Sequence, residues 1–199
     1  MFIYEKKLQC PVHITRPNPA LAKLIVTQYG GPDGELGASL RYLSQRFNMV
    51  TNEAKATLTD VGTEELGHME IVGAMVQQLT RDLDEAEIKK NGYDAFYVEH
   101  GLGVYPQSAG GVAFNAAGIQ SKGDPIADIY ENLAAEQKAR VTYEYLLDMI
   151  GSNNEEVARP LRFLREREIV HFQRFGESLN YVRDFQMKRH IFYGISKGG

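Results

Sequence analysis

Two short pairs, Glu65-x-x-His68 and Glu168-x-x-His171, constrain this chain most, because each sits where a helix should be apolar. Between residues 58 and 79 the apolar positions Leu58, Val61, Val72, Met75 or Val76, and Leu79 recur in steps of three and four, the period of one helix face. The series has two gaps, and Glu65 and His68 fill them. A second stripe, Val157, Leu161, Leu164, Phe175 and Leu179, is interrupted in the same way by Glu168 and His171. A third, Ile129, Leu133, Tyr143 and Leu147, is interrupted by Glu136. A carboxylate buried without a partner is strongly unfavourable. Three helices that each direct acidic or imidazole side chains inward need a common compensating partner, and a shared metal cluster is the simplest.

The rest of the composition narrows the classes. With 199 residues, the chain can bury a real core as one domain, 1–199. A net charge of −4 offers no electrostatic case for nucleic acid or an anionic membrane surface as partner. No apolar run is long enough to span a bilayer, and the first residues lack the apolar core of a secretory signal. The single cysteine, Cys10, rules out an internal disulfide, so a cytoplasmic, reducing location is expected. Cys10 and His13 alone, without a second thiol, are read as part of an N-terminal arm rather than a zinc site.

The pattern predicts an all-α fold: a four-helix bundle with helices near 33–50, 52–80, 125–150 and 154–182, short N- and C-terminal extensions, and a long crossover connection. Residues 1–17 read as an arm. Asn18-Pro19 starts a short helix that reaches about Tyr29 and is broken by Gly30-Gly31-Pro32. The 33–50 helix shows apolar Leu36, Leu40, Leu43 and Phe47, with Glu35 and Tyr42 beside that stripe. Glu35 lies in a first turn, where the helix dipole alone favours an acid, so it is equally a dipole partner or a ligand. Asp82 to Glu87 reads as an exposed acidic turn. Residues 91–123, rich in glycine and without a sustained period, read as the crossover, with His100 a polar loop residue. Asp124-Pro125 starts the third bundle helix and Gly151 ends it. Ser152 to Asn154 cap the last, in which Pro160 implies a kink or a later start, and a polar tail follows from Asp184.

Four such helices match the dinuclear carboxylate arrangement, a Glu from each of two helices and Glu-x-x-His from each of the other two. Two divalent ions would be balanced by Glu35, Glu65, Glu136 and Glu168 if all are ionised. Oxygen-rich, nitrogen-poor coordination suits manganese or iron(II).

The residues that carry this pattern also resemble a known family. Gly30-Gly31-Pro-Asp-Gly-Glu35, Tyr42-Leu-Ser-Gln45, Gly62-Thr-Glu-Glu65-Leu-Gly-His68, Ala135-Glu136 with Ala139-Arg140, and Arg167-Glu168-Ile-Val-His171 are similar to the manganese catalases, whose fold is ferritin-like, and most of all to the short spore-coat type. The resemblance implies two manganese ions per subunit, with iron as the alternative. It implies Glu65 as the carboxylate that bridges them, Glu35 and His68 completing one ion, and Glu136 and His171 the other. It makes Glu168 a proton-moving group beside the pair and Tyr42 a hydrogen-bonding partner near it. It implies hydrogen peroxide as substrate, in the reaction 2 H₂O₂ to 2 H₂O and O₂, a hexameric assembly, and other spore-coat proteins as partners, with the spore coat as a location. Ala135 departs from those members that carry an arginine there. The rival expectations are a ferritin-like di-iron oxidase or peroxidase, and a structural coat protein of low activity.

Overall fold

A computed structural model describes Glu5, residues 7–151 and residues 154–189. Eight α-helices occur among these residues: α1 (Pro19–Ile25), α2 (Thr27–Gly30), α3 (Glu35–Gln45), α4 (Asn52–Thr80), α5 (Glu85–Lys90), α6 (Asp94–His100), α7 (Pro125–Ile150) and α8 (Glu155–Arg189). The described residues include no named strand, only an isolated bridge between Gln107 and Ala113. Helix α3 packs on α4, α4 on α8, α8 on α7 and α7 on α3, which closes a ring of four. Short connections join α3 to α4 and α7 to α8, and residues 81–124 cross over between the two hairpins. The fold is an all-α, ferritin-like four-helix bundle.

Local signals place the helix starts. The Asn18 side chain accepts from the Leu21 amide, with Pro19 as the first helical residue, and Thr51 accepts from the Ala54 amide. Asp124 accepts from the amides of Ile126 and Ala127 ahead of α7. Gly151, at φ 68°, ends that helix in the positive-φ region that glycine enters at little cost. Helix α8 runs through Pro160 as one helix and continues to Arg189, beyond the expected end near 182, so the tail expected from Asp184 is helical as far as it is described. The proline has no amide to give to the carbonyl one turn back, so α8 forgoes one backbone hydrogen bond there. The expected caps Ser152 and Asn153, and the tail beyond Arg189, lie outside the described residues.

Two apolar cores stand on either side of a polar layer. One is built from Ile71, Val72, Met75, Val76 and Leu79 of α4 with Tyr143, Leu146, Val157, Leu161 and Leu164, and α1 and the arm residues Cys10 and Ile14 pack into it. The other is built from Tyr42, Leu58, Val61, Ile129, Phe175, Leu179 and Val182. Each fully buried Leu, Ile, Val, Met or Phe stabilises the fold by about 1.5–3 kcal/mol. These cores hold the four helices in register, so the layer between them can be polar.

Two sequence expectations fail in the fold. Helix α3 is shorter than 33–50, and its apolar stripe is not a buried face: Leu36 and Leu43 are half-buried, Leu40 is 41% exposed, and Phe47, past the helix end, is 75% exposed. Its buried residues are Glu35, Gly37, Ser39, Arg41, Tyr42 and Gln45. The inner face of α3 gives Tyr42 to the second core, and its buried Ser39, Arg41 and Gln45 hold neighbouring segments, Ser39 the Gly62 carbonyl of α4 and the other two the crossover. Buried Arg41 donates to the carbonyls of Ile119 (2.8 Å) and Gly118 (3.1 Å), and Gln45 donates to Ser121 (3.0 Å). From α7, Asp128 accepts from the amides of Lys122 (2.7 Å) and Gly123 (3.0 Å). The second failure lies in the acidic turn expected at Asp82 to Glu87 and the aperiodic crossover expected at 91–123: the first carries the start of α5 and the second carries α6. Asp84 and Glu87 form a reciprocal capping box that starts α5, and α6 ends at His100, whose ring stacks on Tyr105 and contacts Gln107 at 3.0 Å. Where the crossover returns it presses on Gly30: a Cβ there would stand 2.4 Å from the Pro106 backbone, so only glycine fits.

Candidate metal centre

The polar layer is made by one turn from each bundle helix. Helix α4 contributes Glu65 and His68, α8 contributes Glu168 and His171, α7 contributes Glu136, and Glu35 opens α3. All six are buried, at 2% exposure or less. Each pair occupies gaps in a stripe whose flanking residues are held by the two cores, so the helix rotation that buries Leu58 or Leu164 also points the polar pair inward.

The carboxylate of Glu65 sits at the middle. Its Oε2 is 2.7 Å from His68 Nδ1 and its Oε1 is 2.8 Å from His171 Nδ1. The two imidazoles face each other with ring centroids 5.4 Å apart. Glu136 Oε2 lies 3.5 Å from His171 Nδ1, Glu35 Oε2 lies 3.8 Å from His68 Nδ1, and Glu168 Oε1 lies 3.9 Å from His68 Nδ1. One ligating atom from each of Glu65, His68, Glu168 and His171 falls within 4.8 Å of the other three. The structure thus brings Glu35, Glu65, His68, Glu136, Glu168 and His171 together, with Tyr42 beside Glu136.

The terminal carboxylates are held by a reciprocal pair of tyrosines. Tyr42 on α3 donates to Glu136 on α7, and Tyr143 on α7 donates to Glu35 on α3. Tyr143 was legible in the sequence only as an apolar stripe residue. Glu64 was also passed over. Its oxygens lie 3.5 Å from His68 Nε2 and 3.2 Å from His171 Nε2, on the far side of both rings, and Arg167 holds it with contacts of 2.7 and 3.2 Å. Its spacing four residues before His68 is the signal that could have found it.

The electrostatics are those of a crowded acid cluster. Burial and the neighbouring Glu65 charge push Glu35 up to about 7. Burial and Glu65 also raise Glu136. Burial, then the charges of Glu35, Glu136 and Glu65, hold Glu168 well above the usual carboxylate range. Burial works against ionisation of Glu65 as well, but His171 and His68 outweigh it and hold Glu65 well below that range. Burial also opposes the imidazolium of His171, yet Glu65, Glu136 and Glu64 carry it up to about 12. Without metal ions, protons on the imidazoles and acids do the charge balancing.

The donor set fits a pair of divalent ions. Glu65 Oε1, Glu136 Oε2, Glu168 Oε1 and His171 Nδ1 are buried and have no hydrogen-bond partner. Glu65 Oε1 and His171 Nδ1 approach to 2.8 Å without hydrogen-bond alignment, as two donors converging on one ion do. Oxygen-rich coordination with two imidazoles suits manganese or iron and is unlike a closed structural zinc site.

Comparison with known proteins agrees. The sequence pattern of the manganese-containing catalases matches residues 1–191. The chain is 47% identical to Protein CotJC of Bacillus subtilis over 96% of its own length and 100% of that protein. It is 39% identical to a probable manganese catalase of Clostridium acetobutylicum over 92% of this chain and 82% of the relative. Its fold superposes on the crystal structure of KatB, a manganese catalase from Anabaena, with a TM-score of 0.85 and 31% identity, covering 100% of this chain and 88% of that one. The buried Glu and His layer lies within the stretch these proteins share, and the chain belongs to the manganese-containing catalase family.

Proposed function

We propose that this protein is a dimanganese catalase that converts two molecules of hydrogen peroxide to two of water and one of dioxygen. The observation that carries the reading is the convergence of Glu65 with both Nδ1 atoms in a buried layer where Glu65 Oε1, Glu136 Oε2, Glu168 Oε1 and His171 Nδ1 have no hydrogen-bond partner. In this reading Glu65 would hold both ions, Glu35 and His68 one of them, and Glu136 and His171 the other. A bound manganese pair would give two electrons in one half of the disproportionation and take two back in the other, by a one-unit change at each ion.

The chain's own residues supply position and protons. The two apolar cores keep bulk water out of the layer. Burial and three neighbouring acids disfavour the anion of Glu168 and raise its pKa, and it stands 3.9 Å from His68 Nδ1 without a hydrogen bond at Oε1. It can therefore give one of the two protons needed as the O–O bond breaks, and recover one when the next peroxide is oxidised. Tyr42 and Tyr143 orient Glu136 and Glu35 through their hydroxyls.

Manganese-loaded protein is expected to release one O₂ for every two peroxides consumed, followed with an oxygen electrode and peroxide absorbance in parallel. Peroxide loss without oxygen would overturn the reading in favour of an iron-handling or peroxidase role. Retained metal without peroxide loss would overturn it in favour of a structural one.

The assembly proposed is a homo-oligomer, a hexamer by family resemblance. It is supported by apolar side chains left exposed on the bundle helices, among them Tyr145, Met149 and Tyr181 at 66%, 71% and 52%. Light scattering is the test. The similarity to the whole length of Protein CotJC supports a spore-coat setting with other coat proteins as partners, testable by locating a tagged chain in sporulating cells. Among the described residues no helix is long and apolar enough to cross a membrane.

A further inference from the structure

Both metal-facing histidines turn Nδ1 toward the centre, so each must carry its proton on Nε2 when Nδ1 offers a lone pair to an ion. Both Nε2 atoms are buried, neither makes an aligned hydrogen bond, and the acid oxygens that stand within reach of them belong to one side chain, Glu64. Glu64 Oε1 faces His68 at 3.5 Å and Oε2 faces His171 at 3.2 Å, so one carboxylate spans the two rings. Arg167 fixes it from outside through Nε and Nη2, at 2.7 and 3.2 Å. Glu64 directly precedes the central Glu65 on α4, and Arg167 directly precedes Glu168 on α8, so the clamp ties the two histidine-bearing helices of the layer together.

We propose that Glu64 is a positioning residue shared by the two histidines: it accepts from both Nε2–H groups and so fixes tautomer and ring orientation at both metal positions at once, with Arg167 holding it in place. This rests on the dimanganese reading above. A carboxylate behind a metal-bound histidine is a general device that raises ligand basicity and sets ring orientation. What is specific here is that one carboxylate serves ligands of two different ions, so its loss should weaken both together rather than one.

The test is manganese content per chain across a chelator titration, read on the full-length, manganese-loaded protein. Glu64→Ala should release both ions in a single step at a chelator concentration about 10–100-fold lower than the unaltered chain requires. Glu64→Gln, whose amide offers one oxygen acceptor instead of two, should fall between. Arg167→Gln should shift release in the same direction by less. Arg174→Gln is the control: on the same helix, Arg174 pairs with Asp60 at 2.8 Å away from both rings, and its substitution should change nothing. Unaltered chelator resistance in Glu64→Ala, or loss of one ion only, overturns the proposal. If Glu64→Ala does not fold, unaltered resistance in both Glu64→Gln and Arg167→Gln overturns it. Failure of the unaltered chain to take up two manganese ions would instead overturn the underlying reading, so the two failures are distinguishable.

Discussion

On α4 the Glu65 carboxylate reaches 2.7 Å from His68 Nδ1 and 2.8 Å from His171 Nδ1, whereas on α8 the Glu168 carboxylate, at the same spacing from its histidine, stands 3.9 Å from His68 Nδ1. Glu65 meets two imidazoles, which lower its pKa; Glu168 meets burial and three acids, which raise its pKa. The spacing of three residues selects a helix face and nothing more. Which carboxylate takes the centre depends on what the neighbouring helices bring to it. Two identical motifs thus meet opposite surroundings, and in the proposed function the first is the ion-holding acid and the second the proton-moving one.

That division can be broken from its stronger side. Glu65→Ala removes the carboxylate facing both histidines, and stoichiometric manganese binding should be abolished by elemental analysis after gel filtration. Retention of two ions would refute the central place given to Glu65. The weaker side sharpens the contrast. Glu168→Gln keeps the side chain's size but cannot donate and recover an acidic proton. It should retain manganese and lose kcat by about 10²–10⁴-fold, the range general acid–base groups supply. Loss of metal from Glu168→Gln would make the two motifs equivalent after all.

The pH dependence of metal uptake separates the two kinds of acid by titration. Manganese must displace whatever protons the ligands hold. Glu35, with its pKa near 7 in the metal-free protein, holds a proton below that pH and is bare above it. His171, near 12, holds one throughout the neutral range. Apparent affinity should therefore rise with pH, by about tenfold per unit for each proton displaced, more steeply below pH 7 than above it. Competition with a chelator of known pH dependence checks this. An affinity flat between pH 6 and 8 would sink it.

The stripes of α4, α7 and α8 made the inward acids and histidines legible from sequence, because a charged residue among Leu58, Val61 and Val72 is conspicuous against a regular apolar period. Helix α3 was misread for the converse reason. Leu40 and, just past its end, Phe47 look like a core face, yet the buried face carries Arg41 and Gln45, which hold the crossover, Ser39, which donates to the Gly62 carbonyl on α4, and Tyr42, which donates to Glu136 on α7, and such polar jobs leave no hydrophobic period. Helices α5 and α6, of six and seven residues, are too short to show one at all. Glu64 and Tyr143 act on residues of other helices, 107 and 108 positions away in sequence for His171 and Glu35, so their roles depend on helix rotation, which one strand of sequence does not encode locally.

The smallest expected effect tests how symmetric the layer is. Tyr42 on α3 donates to Glu136 on α7, and Tyr143 on α7 donates to Glu35 on α3, so the two hairpins brace one another through equivalent bonds in opposite directions. Tyr42→Phe and Tyr143→Phe each delete one buried donor and leave a buried carboxyl oxygen short of a partner, a loss of about 1–3 kcal/mol. If the bracing is symmetric, the two variants should fall by similar amounts in urea midpoint at unchanged slope, and kcat should fall far less than in Glu168→Gln. Tyr42 has an additional neighbour, Phe175, with ring centroids 4.8 Å apart, but Phe keeps the ring, so that contact should survive the substitution. A large kcat loss in Tyr42→Phe alone would mean that its hydroxyl serves the peroxide chemistry and not only Glu136, and the symmetry of the frame would then stop at the reacting groups.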